Sequence, residues 1–355
     1  MTALAVFEVA DVLVERVRRS YANDVALVCC YGSYARGTAT ARSDLDLFFI
    51  PDTERGRDAA LTVLVGGVTF DFWAIDWEWL ERSARLEERG SPIVAEAQIM
   101  YAKSDQDRER FEDLRRSLAT VATAGDPLRY AELAQHRLRR ADTPLRRLQQ
   151  ASAAADDVEC RRSAVDVVSI VCGVVAVVNR TFLRSSGAEQ INELRGLTLT
   201  SPTLVADLSE ALNADEPTDI DRACERAVNA TAELVTERLR QLRPPPVLKS
   251  SAVGFFEELS GLLEKLRFAC ETSDHHTALF TAVTVEREID HLLGSSDRPD
   301  LVPLARPAGL LALAVETDRL EQWLRRRLAA ADVHIREFAS ADGLRNYVAQ
   351  LDRDS

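Results

Sequence analysis

No two of the six cysteines stand in a CxxC arrangement, and no Cys-and-His spacing of the zinc-binding kind accompanies them. That pattern excludes the common structural zinc sites. Cys29, Cys30, Cys160, Cys172, Cys224 and Cys270 sit mostly in apolar runs, where a free thiol behaves as a small buried hydrophobe. A reducing, cytoplasmic compartment is expected. The chain also lacks the basic start and apolar core of a secretory signal, since residues 1–15 carry Glu8, Asp11 and Glu15 on a helical pattern. No apolar run reaches bilayer length: residues 165–178 contain Asp166 and stop at Asn179-Arg180, so a buried helix is expected there and no membrane partner. An excess of basic charge is missing too. The 44 Lys and Arg against 57 Asp and Glu leave −13, the wrong sign for a protein that coats a duplex by neutralising its phosphates. A local basic groove is still compatible with that total. There is no internal repeat.

What is present is an ordinary globular composition, 46% apolar and 28% charged, over 355 residues. That length predicts two or three domains. Residues 3–20 repeat apolar positions at helical spacing through Leu4, Phe7, Val12, Leu13 and Val17. Residues 25–31 form a β-branched run, 43–50 alternate and then turn fully apolar, and 68–75 form a third run; all three read as strands. Residues 59–64 are expected to be helical, with a turn at Gly66-Gly67. Helices at 76–88, 92–98 and 105–117 and a short strand at 99–102 complete an α+β domain over residues 1–120: a small mixed sheet with helices. From 126 to 243 helical patterns dominate and predict a bundle. Pro244-Pro245-Pro246 makes a stiff break. Residues 250–355 are expected to be mostly helical, of unassigned role, with a stretch at 333–338 that is ambiguous and also reads as a strand.

The chemistry is concentrated between Tyr31 and Leu47. A strand runs into Gly32-Ser33, a short loop follows with Arg36 and Gly37, and a second strand opens with Ser43-Asp44-Leu45-Asp46. Residues two apart on a strand share a face, so Asp44 and Asp46 present paired carboxylates. Their mutual repulsion is relieved by a divalent cation. Magnesium favours a few carboxylates plus phosphate oxygens over a complete protein cage, so the pair reads as a platform for metal and triphosphate together. Gly32 removes a side chain where a phosphate must approach the backbone. Ser33 offers a hydroxyl and an N–H, and Arg36 and Arg42 offer charge-assisted hydrogen bonds. Asp71 is a charge inside the apolar run 68–75, costly unless partnered. If its strand neighbours that of Asp44, three carboxylates meet on one face. They then hold two metal ions, or Asp71 accepts the acceptor's proton.

Gly-Ser, about ten residues, Asp-x-Asp on a strand and a third carboxylate on a later strand resemble the signature of the DNA polymerase beta-like nucleotidyltransferase superfamily. The Ser43-Asp44-Leu45-Asp46-Leu47 form is similar to its minimal members, which include kanamycin-type aminoglycoside nucleotidyltransferases. The resemblance covers residues 25–75 and extends loosely to Tyr101; Val177-Val178-Asn179-Arg180 in an apolar helix is reminiscent of the helical domain of antibiotic nucleotidyltransferases.

It implies an N-terminal catalytic domain followed by a helical bundle. Asp44, Asp46 and Asp71 would hold two Mg2+ ions. Gly32, Ser33, Arg36, Arg42 and Ser43 would lie on the nucleotide side, with ATP the expected triphosphate. The implied reaction moves a nucleoside monophosphate onto a hydroxyl of a small acceptor such as an aminoglycoside, which the acidic total suits. A tRNA or protein acceptor, in the manner of toxin or antitoxin enzymes, and a catalytically silent nucleotide-binding module are the alternatives. A homodimer is compatible with the resemblance. Kanamycin-type enzymes take their base from a glutamate of the helical domain; Glu132 lies in that region, with no motif to fix it. The cluster Arg137, Arg139, Arg140, Arg146 and Arg147 reads as a solvated helix face, with a groove for triphosphate or RNA as the alternative. Trp73, Trp77 and Trp79 read first as core, and His275, His276 and His291 as surface.

Overall fold

The computed structural model describes residues 6–40, 43–185, 187–243, 252–293, 303–305 and 309–354. The chain divides into two compact units, Met1–Arg243 and Pro244–Ser355.

The first unit opens with α1 (Val6–Ser20) and continues through β1 (Val25–Tyr31), the short α2 (Gly32–Arg36), β2 (Leu45–Pro51), β3 (Leu61–Val65) and β4 (Val68–Ala74). Then come α3 (Trp77–Ala84), α4 (Ser91–Glu96), β5 (Gln98–Ala102) and α5 (Asp105–Ala124). The strands form a five-stranded mixed sheet in the order β3-β4-β2-β1-β5. Only β2 and β4 run parallel; the other neighbours are antiparallel.

Alternation along β2 explains why the sheet sits between two cores. Leu45, Leu47 and Phe49 pack with Phe70 and Phe72 against Ala10, Leu13, Val14 and Val17 of α1. Phe48 and Ile50 face the other way, onto Leu80 of α3, Val94 of α4 and Phe111 of α5. The same core takes in Val174, Val177 and Val178 from a long helix of the bundle.

That bundle comprises α6 (Pro127–Leu138), α7 (Asp142–Ala153), α8 (Asp157–Val178), α9 (Glu189–Leu194), α10 (Pro202–Asn213) and α11 (Pro217–Leu242). Its own interior is built on Val167, Val171, Cys172 and Val175 of α8 with Leu204, Leu208, Ile220 and Ala227. Helix α8 is buried as its apolar run predicts and stops at Asn179. The Asn179 amide donates to the carbonyls of Val175 (2.7 Å) and Leu199 (2.9 Å) and accepts from Leu199 N (2.8 Å).

The helix expected at 59–64 is absent. Glu54–Ala59 form a 3-10 turn, and Leu61–Val65 are strand β3, hairpinned to β4. Gly66 and Gly67 both have positive φ, 59° and 86°. That is the backbone a two-residue hairpin turn demands, and it outweighs the helical pattern of so short a segment.

The second unit contains α12 (Phe255–Glu271), α13 (His275–Leu293), α14 (Leu310–Ala330) and α15 (Ala341–Asp354). Leu259, Leu263 and Leu266 of α12 share a core with Ala282, Val285 and Ile289 of α13 and Leu320, Leu324 and Leu328 of α14. Residues 333–338 are irregular rather than extended into a strand. No helix of the described residues is long and apolar enough to cross a membrane.

Candidate active site

Four strands bring four polar side chains onto one line across the sheet. The Cα partners run Tyr31–Asp46, Asp46–Asp71 and Asp71–Thr62. Residues directly opposite on paired strands project to the same face, so Asp46 and Asp71 stand side by side. Thr62 Oγ1 donates to Asp71 Oδ1 at 2.8 Å. At the other end Trp73 Nε1 donates to the Tyr31 hydroxyl at 3.2 Å. Asp44 lies exposed just before β2, and Asp46 is half-buried.

Gly32 fixes the approach to this line. Its φ is +78°, and a Cβ placed there would fall 2.2 Å from Asp46 Oδ2. The Asp46 carboxylate therefore lies directly against the backbone of the Gly32 turn, at a position only glycine leaves open. The Ser33 hydroxyl, half-buried at the next position, makes no hydrogen bond among the described residues.

The electrostatics record the crowding. Burial, then Asp44, then Asp71 push the Asp46 carboxyl up to about 6, against a smaller opposing effect of Arg36. Burial and Asp46 push the Tyr31 phenol up to about 12, with Asp71 and Asp44 adding to the effect. Asp44 and Asp71 thus act on both Asp46 and Tyr31.

The remaining residues expected on the nucleotide side are placed unevenly. Arg36 ends α2 and pairs with Glu96 Oε2 at 3.1 Å. Ser43 Oγ accepts from Thr40 N at 2.8 Å and so closes the loop it sits in. Arg42 lies outside the described residues. Glu132 is exposed and pairs with Arg243 at 3.5 Å, which gives it no link to the carboxylate line. Trp73 and Trp79 meet edge-on at 6.4 Å within the core, and Trp77 lies under Arg110 at 4.2 Å.

Three participants escaped the sequence reading. Tyr31 and Thr62 are polar ends of the line, and Thr62 was hidden by the missed strand. Glu96 is the lone charge in the apolar stretch 93–100, and that was its signal. Its side chain is 10% exposed, and its second oxygen lies 3.8 Å from Arg184 without a hydrogen bond.

Among the described residues, no three His, Cys, Asp or Glu side chains are drawn together into a ready-made cation site. The donor set nevertheless fits magnesium as a partner of a triphosphate. The oxygens are hard and too few for a complete cage, and burial first, then the crowding of Asp44 and Asp71, holds the Asp46 carboxyl above its ordinary range. A cation sharing phosphate oxygens relieves that crowding.

Residues 10–117, which span α1 to α5, match the family model of the nucleotidyltransferase domain. Among solved structures the chain is similar to a nucleotidyltransferase-like protein from Exiguobacterium sibiricum 255-15. The identity is 13%, over 90% of this chain and 91% of that one, with a TM-score of 0.38. No curated protein matches the chain. Over residues 10–117, then, this protein is a nucleotidyltransferase domain, of the kind that equips an enzyme for nucleotidyl transfer.

Proposed function

We propose that the line of carboxylates across β2 and β4 serves magnesium-dependent transfer of a nucleoside monophosphate, AMP from ATP, onto a hydroxyl of a small molecule. The observation that carries this reading is Asp46 facing Asp71 in register, with the Gly32 backbone against the Asp46 carboxylate. Asp44, Asp46 and Asp71 would hold two Mg2+ ions, whose chemistry is to neutralise the triphosphate and acidify the acceptor hydroxyl. The Gly32 turn, bare of a side chain, lets the Asp46 carboxylate lie against the backbone, so that the triphosphate meets that carboxylate and the Ser33 end of the turn together. The Ser33 hydroxyl donates to that phosphate, and Arg36 turns from Glu96 to add a charge-assisted contact. The acceptor oxygen attacks the α-phosphorus, the bond to the bridging oxygen breaks, and pyrophosphate leaves. The proton released by the acceptor passes to the Asp71 carboxylate, which Thr62 orients through Oδ1. The acceptor is a small hydroxylated molecule, and the net charge of −13 suits an aminoglycoside-like polycation.

The test is pyrophosphate release from each nucleoside triphosphate with an aminoglycoside as acceptor, with and without Mg2+, in the wild type and an Asp44→Ala/Asp46→Ala variant. The expected result is Mg2+-dependent release that falls roughly a thousandfold in the variant, equivalent to about 4 kcal/mol of transition-state stabilisation. Equal rates in both proteins with every nucleotide end this reading. Mass spectrometry of added tRNA and of co-expressed proteins separates a macromolecular acceptor from a small one.

A further inference from the structure

A second concavity lies in the first unit. It is a cleft of about 540 Å3 bounded by residues 79–92, which run from within α3 to the start of α4, by Arg137 and Arg140 at the end of α6 and just beyond it, and by the C-terminal half of α8 with Thr181, Phe182 and Leu183. That volume falls within the range of small-molecule sites, about 300–1,000 Å3. Its apolar lining is Trp79, Ile170 and Phe182, each half-buried. Its cationic lining is Arg89, Arg137 and Arg140.

The charges around the cleft are unevenly satisfied. Glu87 and Glu88 also line it, but each is held by an arginine outside that trio. Glu87 pairs with Arg129 at 2.6 Å and Arg85 at 3.4 Å, and Glu88 pairs with Arg82. Arg137 donates to a neutral acceptor, the Leu86 carbonyl. Arg89 and Arg140 make no hydrogen bond or ion pair among the described residues. Burial, followed by Arg140, pushes the Arg137 guanidinium down; Arg89 adds to that effect, while Glu88 and Glu87 oppose it. Three cations therefore line the cleft while the two carboxylates that also line it are paired with other arginines.

We propose that this cleft binds a small phosphate monoester with an apolar body. The phosphate sits on Arg89 and Arg140, with Arg137 behind them. Guanidinium forks match phosphate oxygens in geometry as well as charge. The apolar body lies on Trp79, Ile170 and Phe182. Trp79 meets Trp73 edge-on, and Trp73 donates to Tyr31, so a ligand seated there is two rings from the carboxylate line. The local charge of the cleft, not the −13 of the whole chain, selects the ligand, because exposed charges are screened beyond about 8–10 Å. The proposal stands apart from the transfer reading and requires neither metal nor nucleotide.

The test is isothermal titration calorimetry of the full chain with 1-naphthyl phosphate, free of metal and nucleotide. One saturable site is expected. The affinity should fall roughly tenfold or more in an Arg89→Gln/Arg140→Gln variant, whose substituted side chains are exposed and make no hydrogen bond or ion pair among the described residues. It should also weaken as salt rises from about 50 to about 500 mM. A second variant, Gly173→Leu, occupies the α8 wall of the cleft, where an added Cβ meets nothing within 4 Å; it should abolish binding without unfolding the protein. The Asp44→Ala/Asp46→Ala variant should bind as the wild type does. Several results overturn the proposal: unchanged affinity in the arginine variant, equal binding of 1-naphthylmethylammonium, loss of binding in the carboxylate variant, or tighter binding of single-stranded RNA at the same arginines. A saturable naphthyl phosphate site in a protein that releases no pyrophosphate supports this proposal and ends the transfer reading.

Discussion

The Asp46 carboxyl is pulled one way by burial and two neighbouring carboxylates and the other way, more weakly, by Arg36. Its folded-state value of about 6 lies above the roughly 3.9 of a free aspartate. The folded state therefore holds this proton more tightly than the unfolded chain does. The resulting stabilisation is complete below the unfolded value and is lost as pH rises through about 6. In metal-free buffer Asp46→Asn should be more stable than the wild type at neutral pH by about 1 kcal/mol, after discounting for solvent screening of a half-buried group. The gap should close toward pH 4, and Mg2+ should raise the melting temperature of the wild type alone. Thermal denaturation across pH checks this; a variant that melts below the wild type at pH 7.5 contradicts it. Gly32→Ala has the opposite sign, because it strains a positive φ and drives a methyl into the Asp46 carboxylate. It should cost about 1–3 kcal/mol in urea unfolding and suppress pyrophosphate release as well.

Among the elements, β1, β2 and β4 were legible because their patterns are local: a β-branched run, an alternation that becomes fully apolar, and a run broken by one acid. Strand β3 was not. Five residues cannot carry a periodic signal, and the turn that makes them a strand lies outside them, at Gly66-Gly67. Losing β3 also lost Thr62, the partner of Asp71. Helix α8 shows the reverse case. Its apolar run announces a buried helix, and its end is enforced by a single side chain. Asn179 caps Val175 and grips Leu199 from both sides of its amide. Asn179→Ala should cost about 2–3 kcal/mol, the loss of two to three half-buried hydrogen bonds, as read by urea denaturation. A change below about 0.5 kcal/mol would show that water replaces the clip without penalty.

At the scale of the whole molecule, the four buried cores among the described residues are each confined to one unit. Three lie within residues 1–243 and one within 252–333. Cooperative unfolding follows shared burial, so calorimetry of the full chain should resolve two transitions. Residues 1–243 alone should melt at one of those two temperatures and retain any Mg2+-dependent pyrophosphate release. A single transition, or an unfolded 1–243 fragment, would mean that the two units are stable only together.

The sequence alone determined which side chains stand near one another along the chain: Gly32-Ser33 at a strand end, Asp44 and Asp46 two apart, and Asp71 in an apolar run. These are relations among neighbours, which strand geometry converts directly into positions. Only the tertiary structure decided the relations between distant residues. It paired β2 with β4 in parallel so that Asp46 meets Asp71, gave Arg36 a partner sixty residues away in Glu96, and left Arg89 and Arg140 facing a cleft while Glu87 and Glu88 were occupied elsewhere. Strand register and ion-pair choice are set by competition among long-range contacts for shared burial, and no short stretch of residues contains that competition.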